Sequence, residues 1–357
     1  MCVVTFDWEE NDAKEKVRHF MEKRKLVWAV VEVTNACNFN CMWCYANTGY
    51  KEKIARKHMP KQRLDTLLKT LSESGLKQVT LSGGEPTVYP HLKHAIKKAK
   101  DLGFVVHMNT NGYLLTRKLA KELRRMGLSQ IQINIDSING ETHDNVRGRK
   151  GSFRRAVQAL KNAKAAGITC VSQTVLTRKN EKEITDIFRF ARSHGIQRCR
   201  VWDMMPSEGC GLENFDIRPT NYVKSLEELT RFAEQTGARH IEAGEPFFPL
   251  HKTKIPTSHV SCVATAGVLT NIACNGDVYF CVTQRKPMMN IFRMEGSFQD
   301  SYAEKLSEFT SSFRIPPECR NCGMSEKCRS GCYTRREHAK GVDYWCGSQG
   351  LTWNKLS

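Results

Sequence analysis

Cys37-x3-Cys41-x2-Cys44 places three thiols within eight residues. Three thiolates this close can hold three irons of a [4Fe–4S] cluster and leave the fourth iron open as a Lewis-acidic position. A cluster used for electron transfer alone normally takes four protein ligands. The same spacing also suits a zinc site or three incidental thiols, so the surrounding sequence has to decide. A second array lies near the C-terminus. Cys262 is followed after 13 residues by Gly276 and then by Cys281. Further on come Cys319-x2-Cys322-x5-Cys328-x3-Cys332 and, after another 13 residues, Cys346. Seven patterned cysteines are too many for one tetrahedral zinc. The chain has 15 cysteines and opens on an acidic segment with no long apolar core, so no signal peptide is expected. A reducing compartment disfavours structural disulfides, leaving metal ligation or buried free thiols. Cys2, Cys170, Cys199 and Cys210 read as free thiols, and Cys274 falls at a turn.

The elements that must position these residues alternate. Apolar, β-branched runs at 26–33, 78–81, 104–108, 130–135, 168–176 and 199–202 read as strands. Between them, helical apolar spacing predicts helices over 60–74, 91–102, 116–126, 152–166 and 181–194, and a last one over 219–235. Strands alternating with helices of this length predict βαβ units and a parallel sheet, an α/β fold. Six units fit an open, partial barrel. Gly103, Gly127, Gly167 and Gly195 stand just past a helix, where C-terminal caps belong. On this reading the unusual polar segments gather at the C-terminal ends of the strands, the face where β/α barrels build active sites. The three cysteines follow strand one and Ser82-Gly83-Gly84-Glu85-Pro86-Thr87 follows strand two. Asn109-Thr110-Asn111-Gly112 follows strand three, Asn134 and Asp136 end strand four, and Asn180 follows strand five.

Over residues 26–205 the sequence resembles the radical S-adenosylmethionine (SAM) superfamily. The likeness rests on the cysteine array, with Trp43 before its third member, and on the Gly83-Gly84-Glu85-Pro86 segment. It implies a [4Fe–4S] cluster at Cys37, Cys41 and Cys44, with bound SAM. Gly83, Gly84 and Glu85 would hold the methionine amino group, and Thr110, Asn134 and Arg147 the ribose and carboxylate. The implied activity is reductive cleavage of SAM to a 5′-deoxyadenosyl radical and hydrogen abstraction. Residues 260–346 resemble the SPASM domain, the auxiliary-cluster extension of radical SAM maturases. That resemblance assigns an outer iron–sulfur cluster to Cys319, Cys322, Cys328 and Cys346, and an inner one to Cys262, Cys281 and Cys332. Residues 263–270 supply no fourth inner ligand. The inner cluster is therefore expected to have an open iron or to be smaller.

The expected organisation is an N-terminal extension (1–25), a partial (β/α)6 barrel (26–245), and a linker with a SPASM domain (246–357). Asn275-Gly276 predicts a β-hairpin over 268–281 carrying Cys281. The net charge of +18 admits an acidic partner. SPASM relatives imply a peptide or protein substrate, modified by crosslinking, oxidation or epimerisation. Two rival readings stand beside it. One is side-chain chemistry on a tetrapyrrole of heme or heme-d1 synthesis, an acidic small molecule. The other is a non-enzymatic iron–sulfur electron carrier. No RNA-binding module is recognisable, and no apolar run of 18 residues predicts a membrane span. A cytoplasmic location in an anaerobe, and an electron donor such as ferredoxin or flavodoxin, are expected. No catalytic acid or base is singled out; Asp203, Glu208, Glu242, Glu245, His251 and Tyr279 are expected near a pocket.

Overall fold

The computed structural model describes residues 26–46, 56–196, 198–204, 222–236, 241–243, 263–312, 314–321 and 332–334. Seven parallel strands form its centre: β1 (Trp28–Thr34), β2 (Gln78–Gly83), β3 (Val105–Asn109), β4 (Leu128–Asn134), β5 (Thr169–Leu176), β6 (Arg198–Asp203) and β7 (Ile241–Ala243). The helices that link them are α1 (Lys61–Glu73), α2 (Leu92–Asp101), α3 (Arg117–Arg125), α4 (Gly140–Arg147), α5 (Ser152–Ala165), α6 (Ile184–Ser193) and α7 (Tyr222–Thr236). After α8 (Val263–Ala266) the chain returns to the other side of β1. There β8 (Leu269–Ile272) pairs parallel with β1, and β9 (Asp277–Tyr279) and β10 (Met289–Asn290) add antiparallel. The result is one ten-stranded open sheet in the order β10-β9-β8-β1-β2-β3-β4-β5-β6-β7. Two further helices follow, α9 (Phe298–Ser311) and α10 (Pro317–Arg320).

The strands form because each carries one apolar row. Ile131 and Ile133 of β4 are fully buried against the helical layer, while Gln130, Gln132 and Asn134 take the opposite face. Leu64, Leu67, Leu68 and Leu71 line the face of α1 that packs on the sheet, as their spacing predicts. The predicted stops also hold. Gly103, Gly127, Gly167 and Gly195 all have positive φ, the left-handed conformation that ends a helix cheaply at glycine.

Two features of the sheet go beyond the six expected units, besides the helices α4 and α9, which the spacing does not predict. Strand β7 has three residues, too few for a periodic signal. The expected hairpin exists, turning at Gly276 with φ +93°, but it extends the barrel's own sheet through β8. Backbone pairing to the free edge of β1 satisfies groups that an isolated hairpin would leave open. The predicted N-terminal extension, and the linker prolines, lie outside the described residues.

Candidate functional site

The loop after β1 carries the three cysteines. Gly84 N donates to Thr34 O at 2.8 Å and Glu85 N to Ala36 O at 2.9 Å, so the end of β2 is laced onto the start of this loop. Glycine is required here. Gly83 has φ +125°, and a Cβ on it would collide with the Thr34 carbonyl oxygen. A Cβ on Gly84 would collide with the carbonyl oxygens of Ala36 and Asn35. The two strands thus approach backbone to backbone, which keeps the cleft above them narrow and lined by peptide groups.

A cavity of about 190 Å³ opens beside this junction. Cys37, Cys41, Trp43, Cys44, Gly83, Gly84, Glu85, Thr110, Asn134 and Arg147 all line it, which brings together the barrel residues expected to hold the cluster and SAM. Among the described residues, no three His, Cys, Asp or Glu side chains converge where a single metal ion could sit. The thiols of Cys37, Cys41 and Cys44 line the same cavity, and three thiolates there could hold three irons of a cluster. Burial pushes the Cys37 thiol up to about 12 and the Cys41 thiol up to about 11. Three soft donors at the mouth of a cleft fit an iron–sulfur cluster.

Glu85 is 1% exposed. Its Oε1 accepts from Thr87 N (2.9 Å), Thr87 Oγ1 (2.6 Å) and Thr110 Oγ1 (2.6 Å), and its Oε2 from Asn111 N (2.7 Å). Burial raises its carboxyl above the ordinary value, and these donors pull it back toward the ionised form. The carboxylate also caps the short 3₁₀ turn at Pro86–Val88. Thr110 lines the pocket, but its hydroxyl is committed to Glu85 and accepts the Gly112 amide at 3.1 Å. Its hydrogen bonds therefore position Glu85.

Arg147 ends α4 with a side chain 11% exposed. Its Nε lies 3.0 Å from Asp136 Oδ2, and its Nη1 approaches Cys41 Sγ at 3.6 Å. Burial opposes the guanidinium charge, but Asp136 and the Cys41 sulfur outweigh it and hold Arg147 above its usual value. Asp136 in turn accepts the Val175 amide at 3.0 Å. This pair fastens the cysteine loop to the ends of β4 and β5. Trp43 packs with Val146 and Met204 in a small apolar cluster on the same wall.

Sequence reasoning missed other lining residues: Phe39, Gln132, Gln173, Trp202, Met204 and Thr283. A signal existed for two of them. Gln132 shares the polar row of β4 with Asn134, and Gln173 is the Cα partner of Asn134 in β5. Thr283 comes from the C-terminal region. Its hydroxyl lies 3.1 Å from Cys281 Sγ and 3.3 Å from Thr334 Oγ1, so the Cys281 site adjoins the pocket. Cys319 and Cys332 are buried. Cys262, Cys322, Cys328 and Cys346 lie outside the described residues, as do Glu208, Glu245 and His251. Tyr279, expected near the pocket, does not line it. Its ring lies beneath Arg285, 4.9 Å from the guanidinium carbon, because Arg285 is drawn inward by Glu32. Cys170 is a buried thiol bonded to the Ile168 and Leu160 carbonyls and pushed up to about 12 by burial, an inert free thiol as expected.

Residues 31–191 match the family model for the radical SAM superfamily. Over 316 residues the chain is 29% identical to the mycofactocin maturase MftC of Mycolicibacterium smegmatis, spanning 86% of this chain and 77% of that protein. It is 27% identical over 336 residues to the AdoMet-dependent heme synthase of Methanosarcina barkeri, spanning 90% of this chain and 94% of that one. Its fold is similar to that of Streptococcus suis SuiB bound to the precursor peptide SuiA, with a TM-score of 0.73 at 18% identity over 96% of this chain and 82% of SuiB.

Proposed function

Because this chain belongs to the radical SAM superfamily, we propose that its pocket holds SAM beside a [4Fe–4S] cluster and that it modifies a peptide or protein. The observation that carries this is the meeting of three thiols, the Gly83–Gly84 cradle and the buried Arg147–Asp136 pair on one cavity. When bound, cluster and SAM supply reductive cleavage of the S–C5′ bond, giving methionine and a 5′-deoxyadenosyl radical that takes a hydrogen atom from a substrate C–H bond.

The chain's residues bind, orient and exclude water. Cys37, Cys41 and Cys44 are the cluster ligands. Glu85 Oε2 has one protein donor and so keeps room for an ammonium group, while Thr110, Thr87 and Asn111 hold the carboxylate still. Arg147, its charge already oriented by Asp136, would take the carboxylate of SAM, and Asn134 its ribose. Trp43 and Met204, packed with Val146, give the pocket an apolar wall that would exclude water. Cys262, Cys281 and Cys332 hold an inner auxiliary cluster, and Cys319, Cys322, Cys328 and Cys346 an outer one. Thr283 links the inner site to the pocket.

The maturase relative and the peptide-bound fold support a peptide substrate. The heme synthase relative and the net charge of +18 favour a second reading, a tetrapyrrole with several carboxylates. The lining weighs against it. Among the described lining residues, the ionisable groups other than cysteine and tyrosine are Glu85 and Arg147, and both have protein partners, while the rest of the polar lining is mostly carboxamide. Carboxamides offer paired donors and acceptors, which suit peptide groups.

The test is iron and sulfide content of anaerobically reconstituted protein, with 5′-deoxyadenosine release after dithionite. Three clusters give about twelve irons per chain, and the Cys37→Ala/Cys41→Ala/Cys44→Ala variant loses about four together with all 5′-deoxyadenosine. Protein that binds zinc and no iron would sink the reading. A fully loaded protein that releases no 5′-deoxyadenosine would favour an electron carrier.

A further inference from the structure

Cys281 and Cys332 each have a threonine two residues on, Thr283 and Thr334. The fold brings the two segments side by side and ties them twice. On one flank Phe280 packs on Phe309 at 4.8 Å between ring centres, and Phe309 meets Tyr333 edge-on at 5.7 Å. On the other, Thr283 Oγ1 lies 3.3 Å from Thr334 Oγ1. Cys281 falls between these ties. Its Sγ is 3.1 Å from Thr283 Oγ1 and 4.0 Å from Thr334 Oγ1. Thr283 is 4% exposed and lines the pocket.

Two hydroxyls that satisfy each other would be the plainer reading, but it leaves a proton to place. Once Thr334 donates to Thr283, the Thr283 proton needs an acceptor of its own. Among the described residues, Cys281 Sγ is the other hydrogen-bond partner of that hydroxyl. Cys170 shows the opposite arrangement. Its sulfur faces the carbonyl oxygens of Ile168 and Leu160 at 3.3 and 3.6 Å. Carbonyls only accept, so that sulfur has to keep its proton. A hydroxyl can donate, so Cys281 stands where a sulfur without a proton is stabilised, as a metal ligand must be. Two sulfurs of the first site are served in the same way. The Phe39 amide donates to Cys37 Sγ at 3.4 Å, and Arg147 Nη1 donates to Cys41 Sγ at 3.6 Å.

We propose that Thr283 is a positioning residue for the iron–sulfur cluster at Cys281. Its hydroxyl donates to the Cys281 thiolate, Thr334 holds it in that direction, and the potential at which this cluster takes up an electron is raised. The proposal rests on the radical SAM reading with its inner auxiliary cluster. A hydrogen bond to a ligand sulfur draws off part of its negative charge. The reduced cluster carries one more electron than the oxidised one, so it gains more from that bond. The change is a one-electron uptake in which no bond breaks and no proton moves. A side chain that lines the pocket thus sets the potential of a cluster beside it.

The test is potentiometry of the anaerobically reconstituted full chain with dithionite as reductant, each cluster followed by its electron paramagnetic resonance signal. Thr283→Val, Thr283→Ser and Thr334→Val stand beside the unaltered protein, and iron and sulfide content shows that each one loads. Thr283→Val removes the hydroxyl and keeps the shape. It should lower one potential by the equivalent of about tenfold in the reduction equilibrium, about 59 mV for one electron. The signal that disappears in the Cys37→Ala/Cys41→Ala/Cys44→Ala variant should stay where it is. Thr283→Ser should restore the potential, and Thr334→Val should shift it the same way by less. Unchanged potentials in a fully loaded Thr283→Val overturn the proposal, and so does an equal shift in Thr283→Ser, which would make the effect one of packing. If Thr283→Val fails to load, Thr334→Val decides, and an unchanged potential there overturns the proposal. If Cys281→Ala/Cys332→Ala removes no iron, there is no cluster at Cys281 and the proposal falls, while 5′-deoxyadenosine release still judges the radical SAM reading. If the loaded protein releases no 5′-deoxyadenosine, the radical reading is what fails, and the potentials alone judge Thr283.

Discussion

His107 shows how far the barrel interior departs from water. It is 3% exposed, and burial, then Arg200 and Arg198, push it down to about 3 from an ordinary 6.5. The folded protein therefore keeps it neutral while the unfolded chain protonates it as pH falls below 6.5. Between these two values the unfolded state binds the extra proton, so stability rises with pH. Urea unfolding should show stability falling by roughly 1 kcal/mol per pH unit from this residue as pH drops from 6.5 toward 4. His107→Gln should flatten that slope, and an unchanged slope would refute the assignment. At Glu85, replacement by Ala would leave the Thr110 and Thr87 hydroxyls and two amides facing a void. The expected cost is about 2 kcal/mol of stability plus loss of SAM binding, whereas Glu85→Gln should keep the fold and still weaken SAM. Thermal melts with and without SAM separate the two effects. None of the burial at His107 is legible in the sequence, where it reads as one polar residue of a strand.

At the scale of elements, the hairpin is held to the barrel by pairing to β1 and by one buried ion pair. Arg285 Nη1 donates to Glu32 Oε1 at 2.6 Å and its Nη2 to Oε2 at 3.0 Å, a bidentate contact between residues 253 positions apart. Removing Glu32 leaves the Arg285 charge only partly exposed, at 20%, and without this carboxylate. Glu32→Gln should cost about 2–3 kcal/mol in denaturant unfolding, and the double change Glu32→Leu/Arg285→Met should recover part of that. Additive losses in the two single variants and the double would show that the pair is not coupled. Gly84→Ala probes the other junction. Its Cβ has nowhere to go but into the Ala36 and Asn35 carbonyls, so β1 and β2 must part or the cysteine loop must shift. Expected is a loss of at least about 2 kcal/mol and of SAM-dependent activity.

For the whole molecule, the net charge of +18 is carried outside the pocket lining, where Glu85 and Arg147 balance among the described residues. Among the described residues no helix is long and apolar enough to cross a membrane. Thr283 lines the pocket and touches Cys281, so the Cys281 site and the first three cysteines should be separable by mutation yet close in function. Cys281→Ala/Cys332→Ala should lower iron content while SAM cleavage with dithionite persists, because the first cluster's ligands lie in another element. If this pair of changes also removed 5′-deoxyadenosine release, the two sites would be one folding unit.

What the sequence by itself determined was local. Spacing of leucines set α1, glycines set the helix ends, and Cys37-x3-Cys41-x2-Cys44 with Gly83-Gly84-Glu85 marked one face of a parallel sheet. These signals are legible because each depends on neighbours within a few residues. The tertiary structure alone decided the rest. It joined the hairpin to the edge of β1, gave Arg147 to Asp136 and Arg285 to Glu32, and committed Thr110 to Glu85. Such partners are chosen by burial, since a charge or hydroxyl taken from water must find its match wherever the fold brings one.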